Sequence, residues 1–96
     1  AKSVNTYAYP NPFSPTLHEV VRIKYELKKS GNVNVRVFDF GMNLVRNIEE
    51  NTYTEGTYEA VWDGVDNSGR KVANGPYIYV IEMPDRSING KILLIE

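Results

Sequence analysis

From Val61 to Tyr79 the chain reads VWDGVDNSGRKVANGPYIY: a strand ending on a Trp, a polar double turn, and a second strand that alternates on Tyr. Asp63-Gly64 and Ser68-Gly69 supply the positive-φ positions that a tight reversal needs. Asn74-Gly75-Pro76 stops the excursion before strand pairing resumes. This punctuation commits the middle of the chain to strands joined by a turn.

The same period of two runs through the rest. Val21, Ile23, Tyr25 and Leu27 alternate with Arg22, Lys24 and Glu26, the pattern of an antiparallel strand with one wet face. Ser30-Gly31-Asn32 turns the chain, and Val33, Val35 and Val37 resume the alternation against Asn34 and Arg36. Leu44 to Glu50 forms a third strand, diluted by Arg46 and the Glu49-Glu50 pair. Thr57 to Trp62, Pro76 to Met83 and Lys91 to Ile95 follow. Thr6 to Tyr9 is a short edge strand ended by Pro10 and Pro12, because proline cannot donate to a ladder. No window carries a helical stripe. Seven short strands at this spacing predict an all-β, two-sheet antiparallel sandwich.

Taken in order, these pieces resemble the immunoglobulin-like module of flagellar hook-cap proteins. The likeness covers nearly the whole chain. It runs through Pro10, Asn11, Pro12 and Phe13, then Ile23, Tyr25 and Leu27. Gly31 precedes Val33, Val35, Val37, Phe38 and Asp39, and Leu44, Val45 and Ile48 fit the next strand. Trp62, Asp63, Gly64, Asp66, Gly69, Val72, Gly75, Tyr77 and Tyr79 continue it, and Gly90 to Ile95 close it. Two departures count. Gly41 sits one place earlier after Asp39 than is usual, so that turn is built differently. The chain ends in Glu96 where type IX sorting domains commonly carry lysine. The resemblance implies an immunoglobulin-like fold of about seven strands and a module that attaches, caps or sorts. Related modules end many secreted bacterial enzymes and adhesins, some exported by the type IX route.

Composition excludes other classes independently. Ninety-six residues suffice for one core but not for a core plus a deep catalytic cleft. Eleven basic and twelve acidic residues leave a net charge of −1, which argues against a basic nucleic-acid footprint. The absence of cysteine removes disulfide frameworks and thiolate metal sites. No apolar run reaches the roughly 20 residues of a membrane span. Ala1 is followed by no signal-peptide pattern, so residues 1–96 are expected to be one domain excised from the C-terminus of a longer exported protein.

Catalytic residues are not expected. His18 is the only histidine and lies in a loop. Glu49 and Glu50 are adjacent in a strand and point to opposite faces, and no serine sits in a nucleophile elbow. Asp63, Asp66 and Asn67 read as turn formers rather than calcium ligands, with Asp63 expected to bond amides of its own turn, and no cofactor or metal is expected. Tyr25, Tyr58, Trp62, Tyr77 and Tyr79 fall on the apolar phase and are read as core. Tyr7, Tyr9 and Tyr53 lie near breaks and are read as exposed.

The expected function is therefore that of a non-catalytic accessory module, outside the cell or on its surface. It would sort, anchor or position a secreted passenger by contact with a secretion, surface or filament protein. Two alternatives remain: a carbohydrate-binding module of a glycoside hydrolase, and a subunit that assembles by strand addition. The candidate recognition strand is Lys91-Ile92-Leu93-Leu94-Ile95, whose four consecutive apolar residues predict burial on both faces.

Overall fold

A computed structural model describes residues 6–96. Its strands are β1 (Thr6–Tyr9), β2 (Val21–Leu27), β3 (Gly31–Asp39), β4 (Leu44–Tyr53), β5 (Gly56–Trp62), β6 (Gly75–Glu82) and β7 (Ser87–Leu94). One helical turn, α1 (Pro15–His18), lies between β1 and β2, where the sequence predicts only loop. The strands form a three-stranded sheet, β1-β2-β5, and a four-stranded sheet, β4-β3-β6-β7, with every pair antiparallel. This is the two-sheet antiparallel sandwich that the alternation predicts, with the immunoglobulin-like architecture that the resemblance implies.

The inward phase of each strand makes the core. Val21, Ile23, Tyr25, Leu27, Ala60 and Trp62 from one sheet meet Val33, Val35, Val37, Tyr77, Tyr79, Ile81, Ile92 and Leu94 from the other. Trp62 is 1% exposed and packs edge-on against Tyr77, with ring centroids 5.4 Å apart. Tyr79 reaches across the sandwich so that its hydroxyl meets Thr6 Oγ1 at 3.0 Å, a buried bond between the two sheets. Burial pushes the Tyr79 phenol up, while the Thr6 bond opposes that shift.

β4 departs from simple alternation for a visible reason. Its register against β3 slips between Glu49 and Asn47 and again between Arg46 and Leu44, leaving Ile48 and Val45 as the extra residues of two bulges. Both pack against the core. Each bulge resets the period of two, so the strand reads as diluted although it runs three residues beyond its expected end. Tyr53 corrects the sequence reading. It is partly buried, and its ring stacks on Tyr58 at 4.5 Å.

Candidate interaction site

Residues Pro10 to Phe13 lie along the outer edge of β7. The Asn11 side chain behaves like a short strand segment: its Nδ2 donates to Lys91 O at 2.8 Å, and its Oδ1 accepts from Leu93 N at 2.9 Å. One residue pair further on, Phe13 N donates to Leu93 O and Ile95 N donates to Phe13 O. The Phe13 ring is fully buried and lies near Trp62. The Pro-Asn-Pro-Phe segment therefore clamps the C-terminal strand and occupies its edge groups between Lys91 and Ile95.

Contrary to the prediction from its four consecutive apolar residues, Lys91–Ile95 is buried on one face only, because each sheet of a two-sheet sandwich meets the core on one side. Ile92 and Leu94 are fully buried, but Leu93 is 39% and Ile95 48% exposed. The strand keeps the ordinary alternation, with Lys91, Leu93 and Ile95 in its exposed phase.

The Trp62–Gly75 excursion is held by its own side chains. Trp62 Nε1 donates to Val65 O at 2.9 Å. Gly64 and Gly69 take φ of 80° and 87°, as the sequence predicts. At Gly64 a side chain would also press on Pro15 and Phe13. The organising acid is Asp66 rather than Asp63. Asp66 Oδ1 accepts from Ser68 N (2.9 Å) and Arg70 N (3.0 Å), and these bonds, with Arg70 foremost, hold its carboxyl below the usual range. Asp63 instead meets Arg46 at 3.2 Å and reaches Val65 N only at 3.4 Å. Tyr77 closes the loop by donating to Ala73 O.

Glycine 90 matters in a way that the sequence does not signal. A Cβ there would overlap the Tyr79 phenol, so the glycine makes room for the bond that ties the sheets together.

The register also fixes the two solvent faces. On the three-stranded sheet, Tyr7, Lys24 and Glu59 form one row and Tyr9, Arg22 and Val61 the next. Tyr9 donates to Glu59, and Arg22 and Lys24 lie within ion-pair distance of it. The Tyr9 bond foremost, followed by the two cations, lowers the Glu59 carboxyl from its ordinary value. On the four-stranded sheet, Leu44, Phe38, Ile78 and Lys91 form one row, with Pro76 and Leu93 beyond them. The next rows are Asn47, Arg36, Val80, Asn89 and then Glu50, Asn34, Glu82, Ser87. This face is apolar at one end and amide-rich at the other, where Asn32, Asn34, Glu50, Asn51 and Thr52 line a shallow cleft.

The buried aromatic seam between two antiparallel sheets, the clamped last strand and the loop built on Trp62 define an immunoglobulin-like module of the hook-cap class. The profile of the FlgD Ig-like domain matches residues 16–86. The chain belongs to that family. Against curated protein sequences there is no match. Among solved structures, PorU of Porphyromonas gingivalis is similar, with a TM-score of 0.68 and 23% identity over 95% of this chain. PorZ, described as a surface component of the type IX secretion system of the same organism, gives 0.64 and 22%, also over 95%. The hook-capping protein FlgD of Xanthomonas campestris gives 0.65 and 19% over 93% of this chain. The chain spans 9% of PorU, 11% of PorZ and 66% of that FlgD. At these identities the likeness is one of fold.

Proposed function

We propose that this chain is a non-catalytic accessory module of an exported bacterial protein, which positions a passenger by contact with a secretion, surface or filament protein. The observation that carries this reading is the clamped last strand. Asn11 and Phe13 fix β7 so that Lys91, Leu93 and Ile95 are offered to solvent from a rigid backbone, which lowers the ordering cost of binding. Family membership and the fold shared with type IX and hook-cap proteins agree with it. With its edge groups between Lys91 and Ile95 occupied by the clamp, β7 is better suited to recognition through these side chains than to strand addition.

The test is a reporter enzyme carrying this chain at its C-terminus in a bacterium with a type IX system. Export and surface retention are expected with the native strand and lost with Leu93→Ser/Ile95→Ser, while the module stays folded. Equal export of both forms would remove the recognition role from this strand. Deleting Lys91 to Glu96 would be a poorer test, because Ile92 and Leu94 belong to the core.

One observation favours the carbohydrate-binding alternative. Tyr7 and Tyr9 share the exposed face of β1, with ring centroids 5.6 Å apart and planes 32° apart, beside Arg22 and Glu59. Titration with soluble oligosaccharides, repeated with Tyr7→Ala, distinguishes this reading. Heat that disappears in the variant would place the sugar there.

A further inference from the structure

Asparagine is a poor strand former, because its side chain competes for backbone groups and packs badly on a pleated surface. Five asparagines nevertheless stand in strands here: Asn32 and Asn34 in β3, Asn47 and Asn51 in β4, and Asn89 in β7. All belong to the four-stranded sheet, and none falls in β1, β2 or β5. Local propensity does not account for that placement.

The register gathers three of them at one end. Asn32 lies opposite Thr52, and Asn34 lies between Glu50 on β4 and Glu82 on β6. Asn32, Asn34, Glu50, Asn51 and Thr52 line a cleft of about 130 Å³, the room of roughly four water molecules. Their polar groups do not satisfy one another. The Thr52 hydroxyl donates to Asn32 Oδ1 at 2.6 Å, which leaves the Asn32 amide nitrogen to donate elsewhere. Asn51 Nδ2 reaches Tyr53 Oη only at 3.5 Å. Glu82 is engaged by Arg36. Among the described residues nothing bonds Asn34 Oδ1, although that atom is buried. A buried amide oxygen without a donor destabilises a fold, and a strand former such as valine would avoid the cost. The torsion that turns an asparagine amide is broad, so either its oxygen or its nitrogen can face a ligand.

We propose that this cleft is a binding site for a single neutral sugar unit. The inventory of donors and acceptors selects that class. Amide donors at Asn32, Asn34 and Asn51 stand beside the Glu50 carboxylate, an acceptor. A sugar hydroxyl donates and accepts at once, so adjacent hydroxyls match both kinds of group. An anion would meet the Glu50 carboxylate. An ammonium or metal ion would leave the amide donors unmatched, and Glu50 is the one carboxylate in the lining, where calcium takes about six to eight oxygens. Size agrees as well, because the hydroxyls along one edge of a pyranose can take the places of about four waters.

The cleft lies on the opposite sheet from Tyr7 and Tyr9, and its failure would leave the role proposed for Lys91, Leu93 and Ile95 standing. The test follows amide chemical shifts, backbone and asparagine side chain, in separate titrations with the methyl glycosides of glucose, galactose and mannose. At least one should give saturable shifts at residues 32–34 and 50–52, with a dissociation constant on the order of 1–10 mM, as a small ligand in a shallow cleft reaches. Glu50→Ala, exposed on an edge strand, should weaken that binding about tenfold. Asn34→Val should weaken it as much while raising the melting temperature, since it removes an unbonded buried oxygen. A fall in melting temperature would show the asparagine serving the fold instead, and would overturn its assignment to a site. No saturable shift with any of the three glycosides, shifts centred on residues 7–9, or shifts with calcium chloride in place of the glycosides overturns the proposal. So does binding that neither substitution weakens.

Discussion

The two solvent faces of this sandwich obey the same period of two and spend it differently. On the three-stranded sheet the outward residues pair with one another: Glu59 is shared by Tyr9, Arg22 and Lys24, so the face satisfies itself. On the four-stranded sheet the Arg36–Glu82 and Thr52–Asn32 pairs lie away from the β3–β4 hairpin end, where Phe38 stands between Leu44 and Ile78, Phe40 is exposed and Lys91 closes the row. Burial makes the inner faces alike, because both must fill one core. The outer faces are free of that demand, so their divergence points to what each must meet outside.

If the faces differ while the core is shared, damage to the core must erase both together. Trp62 lies on the three-stranded sheet and packs against Tyr77 of the other. Trp62→Ala should cost about 3–5 kcal/mol and abolish both faces in one transition. Chemical denaturation should show a single lowered midpoint by fluorescence and circular dichroism. Two separated transitions would mean that the sheets are independent units.

A smaller effect is expected at the tie between sheets. Gly90→Ala forces a methyl against the Tyr79 phenol and displaces it from Thr6. A loss of about 1–3 kcal/mol follows from overpacking. Removing the phenol should relieve the overlap, so Gly90→Ala/Tyr79→Leu should be less destabilised than the sum of its parts. Strict additivity would show that the glycine is there for another reason.

How much of this was legible beforehand depended on whether one residue type answered one demand. The sandwich was legible because the alternation of Val21–Leu27, Val33–Val37 and Pro76–Met83 is the direct imprint of a two-sided sheet. Trp62 and Tyr77 carried their core assignment for the same reason. β4 was harder to read because its two bulges hide Val45 and Ile48 among charged neighbours. Asp66 outranked Asp63 as the loop's organiser through a backbone geometry that no spacing reveals. Asn11 was visible as part of a motif, but its pairing with a strand some 80 residues away was not. The apolar outer row was missed because Leu44, Phe38 and Ile78 come from three strands, and only the register sets them side by side.

The hairpin offers a gentler way to sharpen the comparison. Met42 takes φ 67°, so Met42→Gly releases the left-handed strain at the cost of extra unfolded-chain entropy. The fold should gain between about 0 and 1 kcal/mol, measured by thermal or urea denaturation. A clear loss would mean that the methionine is held by packing rather than displayed.

The smallest expected effect lies on the charged face. Glu59 titrates below its ordinary value in the folded chain, so its contribution is present above the unfolded pKa of about 4.3. It fades as pH falls through the lowered folded value. Glu59→Gln should flatten that part of the acid limb of melting temperature against pH. The hairpin end has its own lowered carboxyl, Asp39 held by Asn43, and Leu44→Ser, which removes neither carboxylate, should leave the slope alone.

The most direct test of the two-face account is an amide chemical-shift map of the chain titrated with a small neutral apolar probe such as benzyl alcohol. The account requires shifts centred on the hairpin end of the four-stranded sheet, at residues 38–44 and 76–80, with residues 22–26 and 57–61 unmoved. Unchanged spectra, or shifts centred on the Arg22–Glu59 face, would contradict it.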